Sequence, residues 1–277
     1  MSESKIPVSV IVVTKNEQVR IQSCLDALRD FDEVLVVDSG SRDQTVAIAE
    51  QCGAQVISFI WNGVYPKKRQ WCLDMLTLKH DWVFFVDADE IVTPELIAEI
   101  RHLFFNPLLL CAGYFITGRY RMNGRVLQFG LPNRKIALFD RSKMMFPVVD
   151  DLDLSGMGEI EGHYQPVLKS AGFKIGTLKA WLWHDAMDDE RAWAFRHEKY
   201  ARWEAGMNKK NAWPVDPVKW RDLVKRSLRL SQFRAEFVFL TGFLLKSGFL
   251  DGKYGLKLAV SKYKYYKHIK YITENIT

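Results

Sequence analysis

Three strand-length apolar runs, each stopping in a polar cluster, constrain this chain more than anything else in it. Val8 to Val13, Val34 to Val37 and Trp82 to Val86 are dominated by β-branched and aromatic residues. Such runs suit parallel strands covered on both faces. Helical patterns fill the intervals. Ile21, Cys24, Leu25 and Leu28 recur at helical spacing behind Asn16, which reads as an N-cap. Ser41 is predicted to cap the next helix, with Asp43 in its first turn and Gly53 at its end. Gln55 to Phe59 reads as a further strand, followed by a helix over 67–79. Thr93 before Pro94 opens a helix with Leu96, Ile97, Ile100 and Leu103 on its apolar face. Alternating strands and helices predict an α/β fold, Rossmann-like, with a mainly parallel sheet, helices on both faces and right-handed crossovers.

In open α/β sheets ligands bind beyond the carboxyl ends of the strands. Asn16-Glu17, Asp38-Ser39-Gly40 and Asp87-Ala88-Asp89 are all expected there. Asp87 and Asp89 can converge on one hard divalent cation, Mg²⁺ or Mn²⁺, which keeps positions open for phosphate oxygens and so points to a diphosphate substrate. An isolated D-x-D is also what a solvated acidic loop looks like. Three polar clusters on one rim favour a shared site.

From Gly113 the pattern shifts to short segments, Tyr114–Thr117 and Ile136–Asp140, expected as antiparallel additions at the sheet edge. A helix is predicted over Asp188–Glu204, and Trp213–Pro217 breaks the chain ahead of a basic tail. With 48% hydrophobic residues and 17 Phe, the sequence supports a sizeable core and excludes wholesale disorder. Cys24, Cys52, Cys72 and Cys111 are far apart and read as reduced thiols in a cytosolic setting. No secretory signal is evident, and Phe237–Leu245 falls short of the roughly 20 residues of a spanning helix. From Lys219 onward there are 13 Lys and Arg against 4 acidic residues, or +9, while the preceding part has 26 against 29, or −3. Within the tail Tyr263, Tyr265, Tyr266 and Tyr271 interleave with lysines, as in an interfacial helix on anionic lipid. A helical appendage packed on the main domain, or a dimer contact, fits the same composition. No nucleic-acid recognition module is evident.

Three stretches together resemble the glycosyltransferase family 2 catalytic domain, of GT-A fold. They are Val8-Ser9-Val10-Ile11-Val12-Val13-Thr14-Lys15-Asn16-Glu17, Val36-Val37-Asp38-Ser39-Gly40-Ser41-Arg42-Asp43 and Phe85-Val86-Asp87-Ala88-Asp89-Glu90. The likeness is greatest to the bacterial branch that builds lipopolysaccharide core and surface polysaccharide, and it covers roughly residues 6–185. It implies a catalytic domain over 1–217, with a nucleotide-sugar half about 6–112 and an acceptor half about 113–217, and a helical basic tail over 218–277. Donor-binding residues implied by the resemblance are Thr14, Asn16, Glu17, Asp38, Gly40, Lys68, Asp87 and Ala88. Asp38 would accept the imide N–H of uracil, and Lys68, at a helix start with Lys67 and Arg69, would meet phosphate. Asp89 would be the leading metal ligand, with Asp87 beside it or bound through water, and His184 completing the shell. Glu90 would stand behind them.

An inverting transfer also needs a base. Relatives place an acidic residue after the edge strands, but here neither their E-D pair nor their V-H-E triplet occurs. Glu161 is the first candidate and Glu159 the second, with Asp150 and Asp151 behind them; His163 would hold the acceptor or be an ordinary buried histidine. The implied function is a metal-dependent inverting glycosyltransferase using a nucleotide-sugar donor, UDP-linked, and a lipid-linked or lipopolysaccharide glycan acceptor, peripheral on the inner face of the cytoplasmic membrane. A polyprenyl-phosphate sugar synthase and a non-catalytic sugar-nucleotide or glycan-binding subunit are the alternatives.

Overall fold

The structure, a computed structural model, describes residues 4–106, 111–161, 164–185 and 190–275. The first half runs β1 (Ile6–Thr14), α1 (Ile21–Asp26), β2 (Phe31–Asp38), α2 (Thr45–Gln51), β3 (Gln55–Ser58), α3 (Lys68–Met75), β4 (Trp82–Asp87), β5 (Glu90–Val92) and α4 (Pro94–Phe105). Then come β6 (Cys111–Met122), β7 (Arg125–Val126), β8 (Asn133–Asp140), β9 (Met144–Met145), β10 (Val167–Leu168), β11 (Lys174–His184) and α5 (Glu190–Lys210). The tail holds α6 (Lys219–Leu230), α7 (Arg234–Leu240), a π-turn (Thr241–Leu245), a 3-10 turn (Gly248–Asp251) and α8 (Gly252–Asn275).

Nine strands form one sheet in the order β3-β2-β1-β4-β8-β6-β11-β5, with β7 paired to β6. β3, β2, β1 and β4 are parallel neighbours. β8 is antiparallel to both β4 and β6, so β6 and its parallel neighbour β11 run in the same direction as β4. The segments expected at the sheet edge therefore lie inside it, and β6 belongs to the parallel set. Their burial explains this: Tyr114, Phe115 and Ile116 of β6 and Ile136 to Phe139 of β8 are covered on both faces. The antiparallel strand at the edge is β5, on β11.

Period-two alternation divides the core. Val10 and Val12 pack with α1 and α4 through Ile21, Cys24, Leu96 and Ile100. Ile11, Val37 and Phe85 pack on the other face with α3 and α5 through Cys72, Leu73, Trp203 and Met207. Register then levels the strand ends, since Thr14 pairs with Asp38 and Val13 with Asp87.

Thr93 caps α4 as expected, its hydroxyl accepting from Leu96 N–H at 3.3 Å, and Gly53 leaves α2 with φ +80°. Other caps differ. Asn16, in the left-handed region at φ +57°, ties the β1 loop to the β2 loop instead of capping α1: its N–H donates to Ser41 Oγ at 2.8 Å and its Oδ1 accepts from Arg42 N–H. Ser41 is held by Asp38, so α2 starts only at Thr45, whose N–H donates to Asp43 Oδ1 at 3.0 Å. Asp43 thus precedes the helix. α3 stops at Met75, before Lys79, where Leu76 turns to extended backbone and joins the core. The start expected for α5 at Asp188 lies outside the described residues, and the helix runs on to Lys210.

The basic aromatic segment, α8, packs on the main body. Ile269 buries against Ala201 and Ala205 of α5 and Leu258 against Met122 and Leu127, while Asp251, in the 3-10 turn just ahead of α8, accepts from the N–H groups of Gln128 and Phe129. Among the described residues no helix is long and apolar enough to cross a membrane.

Candidate active site

The ends of β1, β2, β4 and β11 meet on one rim. At the end of β2, the turn Asp38-Ser39-Gly40-Ser41 folds back so that Asp38 accepts from Ser41 N–H at 2.8 Å and from its hydroxyl. Gly40 supplies the positive φ of +73° that the turn requires, and a Cβ there would meet nothing within 4 Å. The Thr14 and Ser39 hydroxyls are buried beside it without a hydrogen-bond partner. Buried orphans of this kind are polar positions that a ligand can satisfy.

At the end of β4 the carboxylates separate into two groups. Asp87 accepts from Arg69 at 2.9 Å and Lys135 at 2.6 Å. Glu90 also takes Lys135 at 2.6 Å and the Asp87 N–H at 3.0 Å, while its Oε1 has no partner. Burial alone would raise both carboxyls. Lys135 and Arg69 outweigh it at Asp87, which stays well below the usual carboxylate range, whereas burial prevails at Glu90 and lifts it. Asp89 instead faces His184 at the end of β11, Oδ2 to Nε2 3.5 Å. Burial opposes each charge, but their attraction wins, lowering Asp89 and raising His184. His184 stacks on Tyr120 with 5.3 Å between ring centroids, and its Nδ1 is buried without a partner. The Asp185 N–H donates to the Asp89 carbonyl at 2.8 Å, which fastens β11 to the acidic loop. Ala88 is buried in the core, so its side chain faces away from the rim.

Glu17 borders this group. Its carboxylate accepts from Arg20 Nε at 2.7 Å, and Arg20 also donates to the Asp185 carbonyl at 2.9 Å. Burial, helped by Asp89, lifts the Glu17 carboxyl to about 7 in spite of Arg20.

The basic segment at the start of α3 is arranged differently from the expectation. Lys68 is buried against Glu159, Nζ to Oε1 3.2 Å, over the Phe59 ring, and burial lowers its pKa. Arg69, one residue on and about a quarter-turn around the helix, is the side chain that reaches Asp87. Lys67 is buried in a separate network in which Asp151 accepts from Lys67 Nζ at 2.7 Å, Tyr65 Oη at 2.8 Å and Trp203 Nε1 at 2.9 Å. The N–H groups that open α3 are already taken: Lys68 donates to the Glu159 carbonyl, Arg69 to Glu161 Oε2 at 3.0 Å and Gln70 to Glu161 Oε1 at 2.9 Å. A phosphate on this helix start would have to displace them. Glu161, the first choice as base, is 2% exposed with both oxygens bound to backbone N–H, a helix-capping geometry. The Glu159 carboxylate takes no such backbone bond and pairs through Oε1 with Lys68. Asp150 is on the surface with Lys210, and His163 lies outside the described residues.

Among the described residues no three His, Cys, Asp or Glu side chains are grouped to hold a metal ion. The expected trio resolves into an Asp89–His184 pair and an Asp87 turned toward two cations. An edge position for β8 would keep Lys135 away from this site; as an antiparallel strand inserted beside β4, β8 instead begins at the rim where β4 ends, and its Asn133-Arg134-Lys135 start is the sequence signal for that cation.

Comparison with known proteins gives consistent likenesses. The sequence profile of glycosyl transferase family 2 matches residues 9–149. An uncharacterised glycosyltransferase of Rickettsia felis is 42% identical over 98 residues, 35% of this chain and 34% of that protein. The lipopolysaccharide core biosynthesis glycosyltransferase LpsC of Rhizobium meliloti is 32% identical over 119 residues, 41% of each chain. The match thus spans about a third of the Rickettsia relative's length. Among solved structures, glucosyl-3-phosphoglycerate synthase from Mycobacterium tuberculosis, in complex with Mn²⁺, UDP and glucosyl-3-phosphoglycerate, is 26% identical over 42% of this chain and 44% of that one, with a TM-score of 0.32.

Proposed function

The chain belongs to glycosyl transferase family 2, and from that premise we propose that it moves a sugar from a UDP-linked donor to a hydroxyl of a lipid-anchored glycan, with inversion at the anomeric carbon. The observation that carries this reading is the level rim on which β1, β2 and β4 end beside the Asp89–His184 pair of β4 and β11. The nucleoside would lie along the first two strand ends, where the orphaned Thr14 and Ser39 hydroxyls offer hydrogen bonds. Uracil recognition by Asp38 would exchange its bonds to Ser41 for bonds to the base.

A divalent cation fits Asp89 Oδ2 and His184 Nε2, one carboxylate and one imidazole with room for phosphate oxygens. When bound, Mg²⁺ or Mn²⁺ would neutralise the leaving diphosphate. The protein's own residues prepare that position. Lys135 and Arg69 keep Asp87 ionised, and Tyr120 fixes the His184 ring. Glu159, whose carboxylate lies outside the α3 cap, would take the proton of the attacking hydroxyl as that oxygen bonds the anomeric carbon and the bond from that carbon to the diphosphate breaks. A lipid-anchored acceptor would make the enzyme a peripheral protein of the inner membrane face.

One observation favours a second reading. With Glu161 committed to α3 and Glu159 paired to Lys68, a phosphate acceptor, which needs no strong base, suits the site as well; that is the polyprenyl-phosphate sugar synthase. Incubation with UDP-, GDP- and TDP-sugars plus Mn²⁺, with and without membrane lipid extract, tests both. Nucleotide release that requires UDP-sugar and a glycolipid supports transfer to a hydroxyl. Release driven by polyprenyl phosphate, unchanged in Glu159→Gln, supports the synthase, and no release from any donor would refute both.

A further inference from the structure

α6 is amphipathic, and it is mounted inside out. Arg221, Lys225 and Arg229, spaced four apart, form the face turned to the protein. Lys225 bonds Asp216 at 2.7 Å, Arg221 pairs with the same carboxylate at 3.4 Å and lies 4.3 Å over the Phe115 ring, and Arg229 lies 3.7 Å over Trp213. The opposite face is apolar and points to solvent. Trp220 is 65% exposed, Leu223 68%, Val224 44% and Leu230 87%, and Phe233, just past the helix, is 70% exposed. A surface helix normally buries this stripe, and contiguous exposed apolar surface marks an interaction site.

We propose that this outward face of α6 seats in the headgroup region of an anionic lipid bilayer. Charge selects lipid over a second copy of the chain. Lys219 and Arg226, both exposed, flank the apolar stripe, and the segment from Lys219 on carries +9. Pairing two such tails would set like charges against each other, whereas an anionic surface attracts each basic residue near it. Trp220 supplies the aromatic ring that favours the interface, and an amphipathic helix lying flat needs a buried apolar face more than length. The expected interfacial element thus moves from α8, which is packed on α5, to α6. The proposal rests on the lipid-anchored acceptor reading only for its purpose.

The test uses the full chain and vesicles free of any glycan acceptor, so that it is independent of transfer. Co-sedimentation should be at least about tenfold stronger with vesicles containing phosphatidylglycerol than with phosphatidylcholine alone, and should weaken with salt. Trp220→Glu with Leu223→Glu should lower it by roughly tenfold or more, while Phe105→Ser, an exposed apolar site on α4, leaves it unchanged. UDP-sugar turnover in solution should be the same in all three proteins, which shows that they are folded. Undiminished vesicle binding by the double variant would overturn the proposal. So would a wild-type chain that ignores vesicles and forms a concentration-dependent dimer abolished by the double variant, which would assign the face to a second copy.

Discussion

Glu161→Ala removes the acceptor of two backbone N–H groups at the start of α3, Arg69 at 3.0 Å and Gln70 at 2.9 Å. A buried donor left without a partner costs about 1–3 kcal/mol, and loss of a helix cap typically about 0.5–2 kcal/mol. The same substitution relieves the burial that raises the Glu161 carboxyl, which offsets part of the loss. A net destabilisation of about 2–4 kcal/mol follows, or a fall in Tm of about 4–16 °C at roughly 2–4 °C per kcal/mol. Glu161→Gln keeps one acceptor oxygen and sheds the buried charge, so its cost should be about 1 kcal/mol. Thermal denaturation by circular dichroism, run alongside UDP-sugar turnover, reads both effects. A cap predicts a large Tm loss for Ala, a small one for Gln, and Gln turnover within about tenfold of wild type. General-base loss is on the order of 10²–10⁴ in rate. Melting within about 1 °C of wild type for both variants, with turnover down more than a hundredfold in Gln, would instead make Glu161 the base and not a cap.

Asp151→Ala takes the acceptor from Lys67 Nζ, in a pair with both side chains essentially inaccessible, and from the Tyr65 hydroxyl. Urea denaturation should show a loss of about 3–5 kcal/mol, and a loss under about 1 kcal/mol would contradict the network. Glu17 gives a pH dependence. Its folded pKa, about 7, lies above its ordinary value of 4.5, so the stability it contributes is complete below pH 4.5 and is lost as pH rises through 7. Glu17→Gln should flatten the fall in stability between pH 5 and pH 8 by at most about 3 kcal/mol; equal slopes in the two proteins would contradict the shift.

The parallel core was legible because β1, β2 and β4 are continuous apolar runs that only doubly covered strands tolerate, and their polar ends followed from that. Caps were less legible. Asn16 and Ser41 have the right chemistry to cap helices, but both were recruited by a neighbouring loop more than 20 residues away in sequence, which no local pattern records. The α3 start shows the same limit: Lys68 and Arg69 are alike in charge, and only the helix phase decides that one is buried with Glu159 and the other meets Asp87. Lys135 depended on strand order, which local pattern does not specify. In the tail, composition marked the basic aromatic segment, yet α8 packs Tyr265 and Tyr266 on α5 and leaves Tyr271 exposed, while α6 exposes the apolar stripe.

In the proposed function Asp89, paired with His184, holds the cation that receives the donor diphosphate. Calorimetric titration of UDP with and without Mn²⁺, in the wild type and in Asp89→Ala, tests it most directly. Mn²⁺ should tighten UDP binding to the wild type by about tenfold or more, some 1.4 kcal/mol, and do nothing for Asp89→Ala. An equal Mn²⁺ effect in both proteins, or none in the wild type, would contradict it.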